Sequence, residues 1–154
     1  MMKSGAKPLF YLLSVMPFTA GYSATPLAKK LGIKEGFIVR LINDPPGYFQ
    51  LFYDWPDHVT VSQEKKSKKN FIHLFTTAED ELVAQLPHLK SEIVDNGMIW
   101  VSWPKKAAKI QTDITEDIIR HHALATGLVD VKVCAVDAVW SGLKLVIPVA
   151  ERKK

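Results

Sequence analysis

Leu31-Gly32-Ile33-Lys34-Glu35-Gly36-Phe37-Ile38-Val39-Arg40-Leu41-Ile42-Asn43-Asp44-Pro45-Pro46-Gly47, residues 31 to 47, is the stretch on which the fold turns. Its centre, Phe37 to Ile42, is a short and mostly apolar run, which reads as a strand buried on both faces. Gly32 closes a helix that Thr25 caps and Pro26 opens. Asn43 to Gly47 is a turn, and Asp44 is the candidate cap of a short helix across Tyr48 to Tyr53. A helix, a glycine turn and a doubly buried strand in succession signal a parallel sheet with helices on its faces.

The same alternation continues downstream. Val59 to Val61 is a second strand, Glu64 to Lys69 a charged loop, and Phe71 to Phe75 a third buried strand. Thr77 and Asp80 form a helix start, after which Leu82, Leu86, Leu89 and Ile93 recur at helical spacing. Pro87 should kink or break that helix, and Gly97 should end the passage before a fourth strand, Met98 to Trp103. Asp113 and Glu116 make a second capping pair, for a helix that Gly127 closes. Val129 to Val136 and Leu143 to Val149 are the last strands, with Trp140-Ser141-Gly142 as the tight turn of an antiparallel pair. The expectation is an α/β, Rossmann-like three-layer domain with a mostly parallel twisted sheet and an antiparallel C-terminal hairpin. The Phe37, Phe71 and Met98 strands should be adjacent and parallel. The expected division is an N-terminal arm at 1–20, one domain at 21–150 and a basic tail at 151–154.

Composition fits a soluble globular domain: 154 residues, 47% apolar and 23% charged. The net charge of +4 is too small and too spread to mark a nucleic-acid footprint. Cys134 is the one cysteine, which excludes an intramolecular disulfide and a cysteine zinc cluster and suits a reducing cytoplasm. Lys3 and Lys7 ahead of the apolar run Leu9 to Met16 have the layout of a secretory signal. Pro8 and Pro17 interrupt it, and it is too short to span a bilayer. An export signal, an extra arm and a misassigned start remain the alternatives, with the cytoplasm as the expected compartment.

Two blocks carry a family resemblance. One is Gly21-Tyr22-Ser23-Ala24-Thr25-Pro26-Leu27-Ala28-Lys29-Lys30-Leu31-Gly32-Ile33-Lys34-Glu35-Gly36. The other runs through Trp103-Pro104-Lys105-Lys106, Thr112-Asp113-Ile114-Thr115-Glu116 and Gly127-Leu128-Val129-Asp130, then Lys132 to Asp137 and Trp140-Ser141-Gly142-Leu143. Together they resemble the bacterial family DUF3052, a domain of unknown function, which implies a domain identity and no activity. More loosely, Leu31 to Gly36 and the Asn96-Gly97 turn are similar to parts of Rossmann-like methyltransferases. The Gly-rich loop of such enzymes is missing after the first strand, where Pro45 and Pro46 stand instead. Glu64, some twenty residues on, has the spacing of a ribose-binding acid without that loop.

The candidate site lies past the fourth strand, because open α/β sheets bind ligands at the carboxyl ends of their strands. Its residues are Trp103, Lys105 and Lys106, then Thr112, Asp113, Thr115 and Glu116 at a helix start, with Asp137, Trp140 and Ser141 beside the final hairpin. Two lysines and free helix amides suit a phosphate or carboxylate. The bland alternative is a solvated lysine pair next to an ordinary helix cap, with Asp137 a structural partner of Lys105 or Lys106. Ser141, a histidine and Asp137 have no spacing that supports a triad, and no G-x-S-x-G elbow is present.

Other features read as structure first. Cys134, mid-strand between Val133 and Ala135, is expected to be a buried, inert thiol. Adjacent His121 and His122 diverge on a helix, and His58, His73 and His88 are isolated, so no metal site is expected. Lys65, Lys66, Lys68 and Lys69 read as a solvated loop, with a nucleic-acid or acidic-protein contact as the weaker alternative. Tyr48, Phe49, Leu51, Phe52, Tyr53 and Trp55 read as packing, with a partner surface as their alternative. The functional expectation is a non-catalytic or weakly catalytic domain that binds a small anion, a nucleotide or a protein partner. The alternative is a divergent methyltransferase-like transferase with a nucleotide-like cofactor at the same edge. No catalytic residue and no particular cofactor can be named, and neither nucleic acid nor membrane is an expected partner.

Overall fold

A computed structural model describes residues 25–153, so the expected arm and the start of the first resemblance block lie outside the described residues. Among the described residues the α-helices are α1 (Leu27–Leu31), α2 (Glu79–Glu92) and α3 (Glu116–Thr126). The strands are β1 (Ile38–Ile42), β2 (Thr60–Val61), β3 (Lys69–Phe75), β4 (Ile93–Pro104), β5 (Val129–Ala135) and β6 (Trp140–Val146). They form a six-stranded sheet in the order β2-β1-β3-β4-β6-β5. β1 pairs in parallel with β2 and β3, and β3 with β4. β6 runs antiparallel to both β4 and β5. The three strands expected side by side are so placed, and the C-terminal pair closes one edge.

Alternation along β3 shares its side chains between two cores. Ile72 and Leu74 pack under Leu82, Leu86 and Leu89 of α2 and Ile119 and Ala123 of α3. Phe71 and Phe75 face the other way, onto Ala28 and Leu31 of α1, Tyr48, Phe52 and Trp100. The β1-to-β2 connection therefore covers one face, and α2, between β3 and β4, the other. Connections running in opposite directions along the sheet lie on opposite faces, as crossovers of a single hand require. The connection from β2 to β3, residues 62–68, carries no helix. The α2 face is thus left thinly covered over β1.

Several local expectations need correction, and at the starts of α1 and α2 a side chain distant in sequence accepts from the first amides. The N-cap residue of α1, Pro26, makes no side-chain cap; Asp54 accepts from the amides of Ala28 (3.0 Å) and Lys29 (3.1 Å). Asp44 does not cap the Tyr48–Leu51 turn, which is a 3-10 helix starting behind Gly47. Ala78, not Thr77, precedes α2, and Asp113 reaches across to accept from the Glu79 amide at 2.7 Å. Asp113 is therefore unavailable to α3, whose cap is Thr115, accepting from Ile118. Of the kink or break expected at Pro87, no break occurs, since α2 runs on through it to Glu92; Val83, four residues before it, is exposed. Gly97 lies inside β4, not at its start; a Cβ there would come 3.0 Å from the Lys69 carbonyl, where the β3–β4 register shifts. Trp140, Ser141 and Gly142 belong to β6, and the turn before them is held by Asp137, whose Oδ1 accepts from the amides of Val139 and Trp140, both at 2.8 Å.

Candidate functional site

The sheet order reverses between β1 and β3: the chain leaves β1 for β2 on one side, while β3 and β4 follow on the other. The carboxyl ends of those two strands flank the crevice that α/β sheets ordinarily offer to ligands. Here the chain bridges it with its own side chains. Asn43, held at φ 59°, donates from Nδ2 to the Phe75 carbonyl (3.1 Å) and to Glu81 Oε2 (2.8 Å). Thr76 donates to Glu81 Oε1 at 2.6 Å, so both oxygens of Glu81 are engaged.

Beneath the crevice lies a polar chain from three separate elements. Tyr48 Oη meets His73 Nδ1 at 3.0 Å, and His73 Nε2 meets Ser102 Oγ at 2.8 Å. All three residues are buried. Burial lowers the His73 pKa from 6.5 to about 3 and, with the charge of Asp44, raises that of Tyr48. His73 is therefore a neutral bridge, stacked on Phe75 with centroids 4.2 Å apart, and not a base poised near neutrality. Trp140 packs edge-on against Phe75 at 5.1 Å. Nothing in the sequence announced Tyr48, His73 and Ser102 as a group, because they lie 25 and 29 positions apart in succession.

The ten residues expected to form the site fall into three places. Trp103 pairs with Ser141 across β4 and β6, and the Lys105 amide donates to the Val139 carbonyl at 2.8 Å. This brings Lys105 beside the turn of Asp137 and Trp140. Asp137 is engaged by backbone amides there and pairs with neither Lys105 nor Lys106. Lys106 opens a 3-10 turn, Lys106–Ala108, that ends in Lys109 at φ 55°. Thr112 and Asp113 instead belong to the start of α2, with Thr112 Oγ1 donating to Thr77 O at 2.7 Å. Thr115 caps α3, while Glu116 turns to Arg120 at 2.5 Å, which also holds Asp117 and Asp130. The hydrogen bonds that Arg120 donates to Asp130 and Glu116 raise its pKa further. With two carboxylates in its first turn, α3 presents no open anion-binding end.

Cys134 is half-buried rather than in the core, because β5 is the outer strand of the sheet. Burial still raises its pKa against the pull of Lys30 and Lys132. Lys69, expected in a solvated loop, is the fully buried first residue of β3. Among the described residues no group of three His, Cys, Asp or Glu side chains could hold a metal ion, and no helix is long and apolar enough to cross a membrane.

This Rossmann-like fold is similar to that of several solved methyltransferases. The chain is similar to one from Aquifex aeolicus, with a TM-score of 0.55 and 17% identity over 79% of this chain and 88% of that one. It is similar to magnesium protoporphyrin IX methyltransferase from Synechocystis PCC 6803, solved with bound SAH, with a TM-score of 0.51, 12% identity and coverage of 79% and 78%. Precorrin-6y C5,15-methyltransferase from Geobacter metallireducens GS-15 gives 0.53, 6% identity and coverage of 79% and 86%. At these identities the likeness is one of fold. No curated protein matches the sequence. The model of the protein of unknown function family DUF3052 matches residues 56–149, from the loop before β2 to the end of the sheet, and the chain belongs to that family.

Proposed function

We propose that this chain is a non-catalytic binding domain on a methyltransferase-type scaffold, which takes a small anionic ligand of nucleotide type at the Lys105–Lys106 edge. The observation that carries this reading is the turn after β4. Lys105, Lys106 and Lys109 stand within five positions at the carboxyl edge, and among the described residues none makes an ion pair. The carboxylates nearby are engaged: Asp113 and Asp137 by backbone amides, Glu81 by Asn43 and Thr76, Glu116 by Arg120. Cations are offered to a ligand and general bases are not, which favours binding over catalysis. Trp103, Trp140 and Ser141 flank the lysines through the β4–β6 pairing. Thr112, Thr115 and Glu116 stay outside this narrower site.

The second reading is a divergent transferase, supported by the fold it shares with a methyltransferase solved with SAH. One titration separates the two. Amide spectra of the protein are followed against AMP, ATP and S-adenosylmethionine, for wild type and for Lys105→Ala/Lys106→Ala. Saturating shifts of residues 105–109 with AMP or ATP, lost in the double variant, are the expected result. A ligand present at a hundred times its dissociation constant adds about 2.7 kcal/mol of stability, whereas removing exposed Lys106 and half-buried Lys105, which make no ion pair, should cost on the order of 0.5 kcal/mol. Saturation by S-adenosylmethionine with methyl transfer supports the transferase. A double variant that loses several kcal/mol without ligand would make the lysines structural and end the binding proposal.

A further inference from the structure

We infer a second anion site at the other end of the sheet, on the α2 face, built to take a phosphate group carried by a small molecule. It stands on residues separate from the Lys105–Lys106 edge and does not depend on that reading.

The site begins with one buried carboxylate between two buried cations. Glu92, at the end of α2, is 6% exposed; Arg40 on β1 is 9% exposed and Lys69 on β3 is 0% exposed. Arg40 Nη1 donates to Glu92 Oε1 at 2.5 Å, and Lys69 Nζ to Glu92 Oε2 at 3.2 Å. Lys69 Nζ also donates to the carbonyls of Glu64 and Ser67, the latter at 2.6 Å. Both oxygens of Glu92 are thus taken, and the cluster retains one positive charge inside the protein. An uncompensated charge in such surroundings is costly unless an anion answers it.

A cavity of about 400 Å³ opens beside the cluster, lined by Arg40, Lys65, Gln85, His88, Ser91 and Glu92, within the size range of small-molecule sites. Its origin is topological. Residues 62–68 cross from β2 to β3 without a helix, so the space over β1 beside α2 is left open. Arg40 spends Nε on Gln63 (3.1 Å) and Nη1 on Glu92; Nη2 makes no hydrogen bond to any described residue. A cavity-lining guanidinium with one arm free suits a phosphate oxygen. Lys65 and His88, exposed and without side-chain partners among the described residues, stand at the rim as further donors.

The test is an amide-shift titration with inorganic phosphate, comparing wild type with three variants. Phosphate should produce saturating shifts at Ala84, Gln85 and Ser91. Lys65→Glu/His88→Glu, which alters only the exposed rim, should weaken this binding roughly tenfold or more, about 1.4 kcal/mol. Arg40→Lys, which keeps the charge facing Glu92 but loses the free arm, should weaken it while the rest of the spectrum stays native. Lys105→Ala/Lys106→Ala should leave it unchanged. Shifts that grow without saturating, that survive both the rim and the Arg40 variants, or that vanish with Lys105 and Lys106 would each overturn the site.

Discussion

His73 shows how a single residue sets a pH limit on this protein. Its ring is neutral in the folded state because burial holds its pKa near 3, against 6.5 for a free ring. Above pH 6.5 both folded and unfolded chains carry the neutral ring, and it contributes no pH dependence. As the pH falls below 6.5 the unfolded chain binds a proton that the folded chain refuses, so stability drops until the pH approaches 3. Urea unfolding between pH 7.5 and 5.5 should show a loss of about 1.4 kcal/mol from this residue, absent in His73→Gln. Equal slopes in the two proteins would mean that the ring is solvated. Tyr48→Phe should cost about 1–3 kcal/mol, because it leaves His73 Nδ1 unpartnered in the core. Cys134 is the complementary case. Half-buried, with a raised pKa, it should react with a thiol reagent far more slowly in the native protein than in the urea-unfolded chain.

At the scale of elements, the starts of α1 and α2 are closed from a distance. Asp54 serves α1 from 25 and 26 positions away, and Asp113 serves α2 from 34. Asp113→Ala should therefore destabilise the fold by about 1 kcal/mol, as loss of a helix cap does, and the amides of the first α2 turn should lose exchange protection first. If those at the start of α3 lose protection instead, the cap assigned here is wrong. This also explains which parts could be read from the sequence. Apolar runs such as Phe37 to Ile42 and Met98 to Trp103 state their burial locally, so the strands and their parallel order were legible. Gly32 and Gly127 were equally legible as helix ends, since each takes the left-handed conformation that glycine adopts without strain. The caps were not, because Thr77 and Asp113 satisfy local patterns while the bonds that form are tertiary. The lysine run misled for a related reason: Lys65, Lys66 and Lys68 are exposed, but the register shift between Lys69 and Phe71 lets Lys69 reach Glu92. Within the expected site, only the part held by the β4–β6 pairing came together.

At the scale of the whole molecule, Glu92 is where the parts of the fold meet. Arg40 comes from β1, Lys69 from β3 and Glu92 from the end of α2, and Lys68 adds a bond from the 62–68 connection to the Ser91 carbonyl at 2.7 Å. Hydrophobic burial supplies most of the stability of such a sheet, but it does not fix where α2 ends relative to β1 and β3. The ion cluster does so at the point where no crossover helix covers β1. Glu92→Gln keeps the volume and removes the charge, leaving Arg40 and Lys69 facing each other in the interior. The expected loss is about 3–5 kcal/mol, the cost of breaking a buried ion pair by removing one partner. It should appear in urea unfolding as a lower midpoint with an unchanged slope, since the surface exposed on unfolding is the same. Phosphate should recover part of that loss, because the variant's cluster carries one more uncompensated positive charge beside the cavity. A loss below about 1 kcal/mol, typical of exposed pairs, would show that water already reaches the cluster, and neither its role in holding α2 nor its pull on an anion would stand.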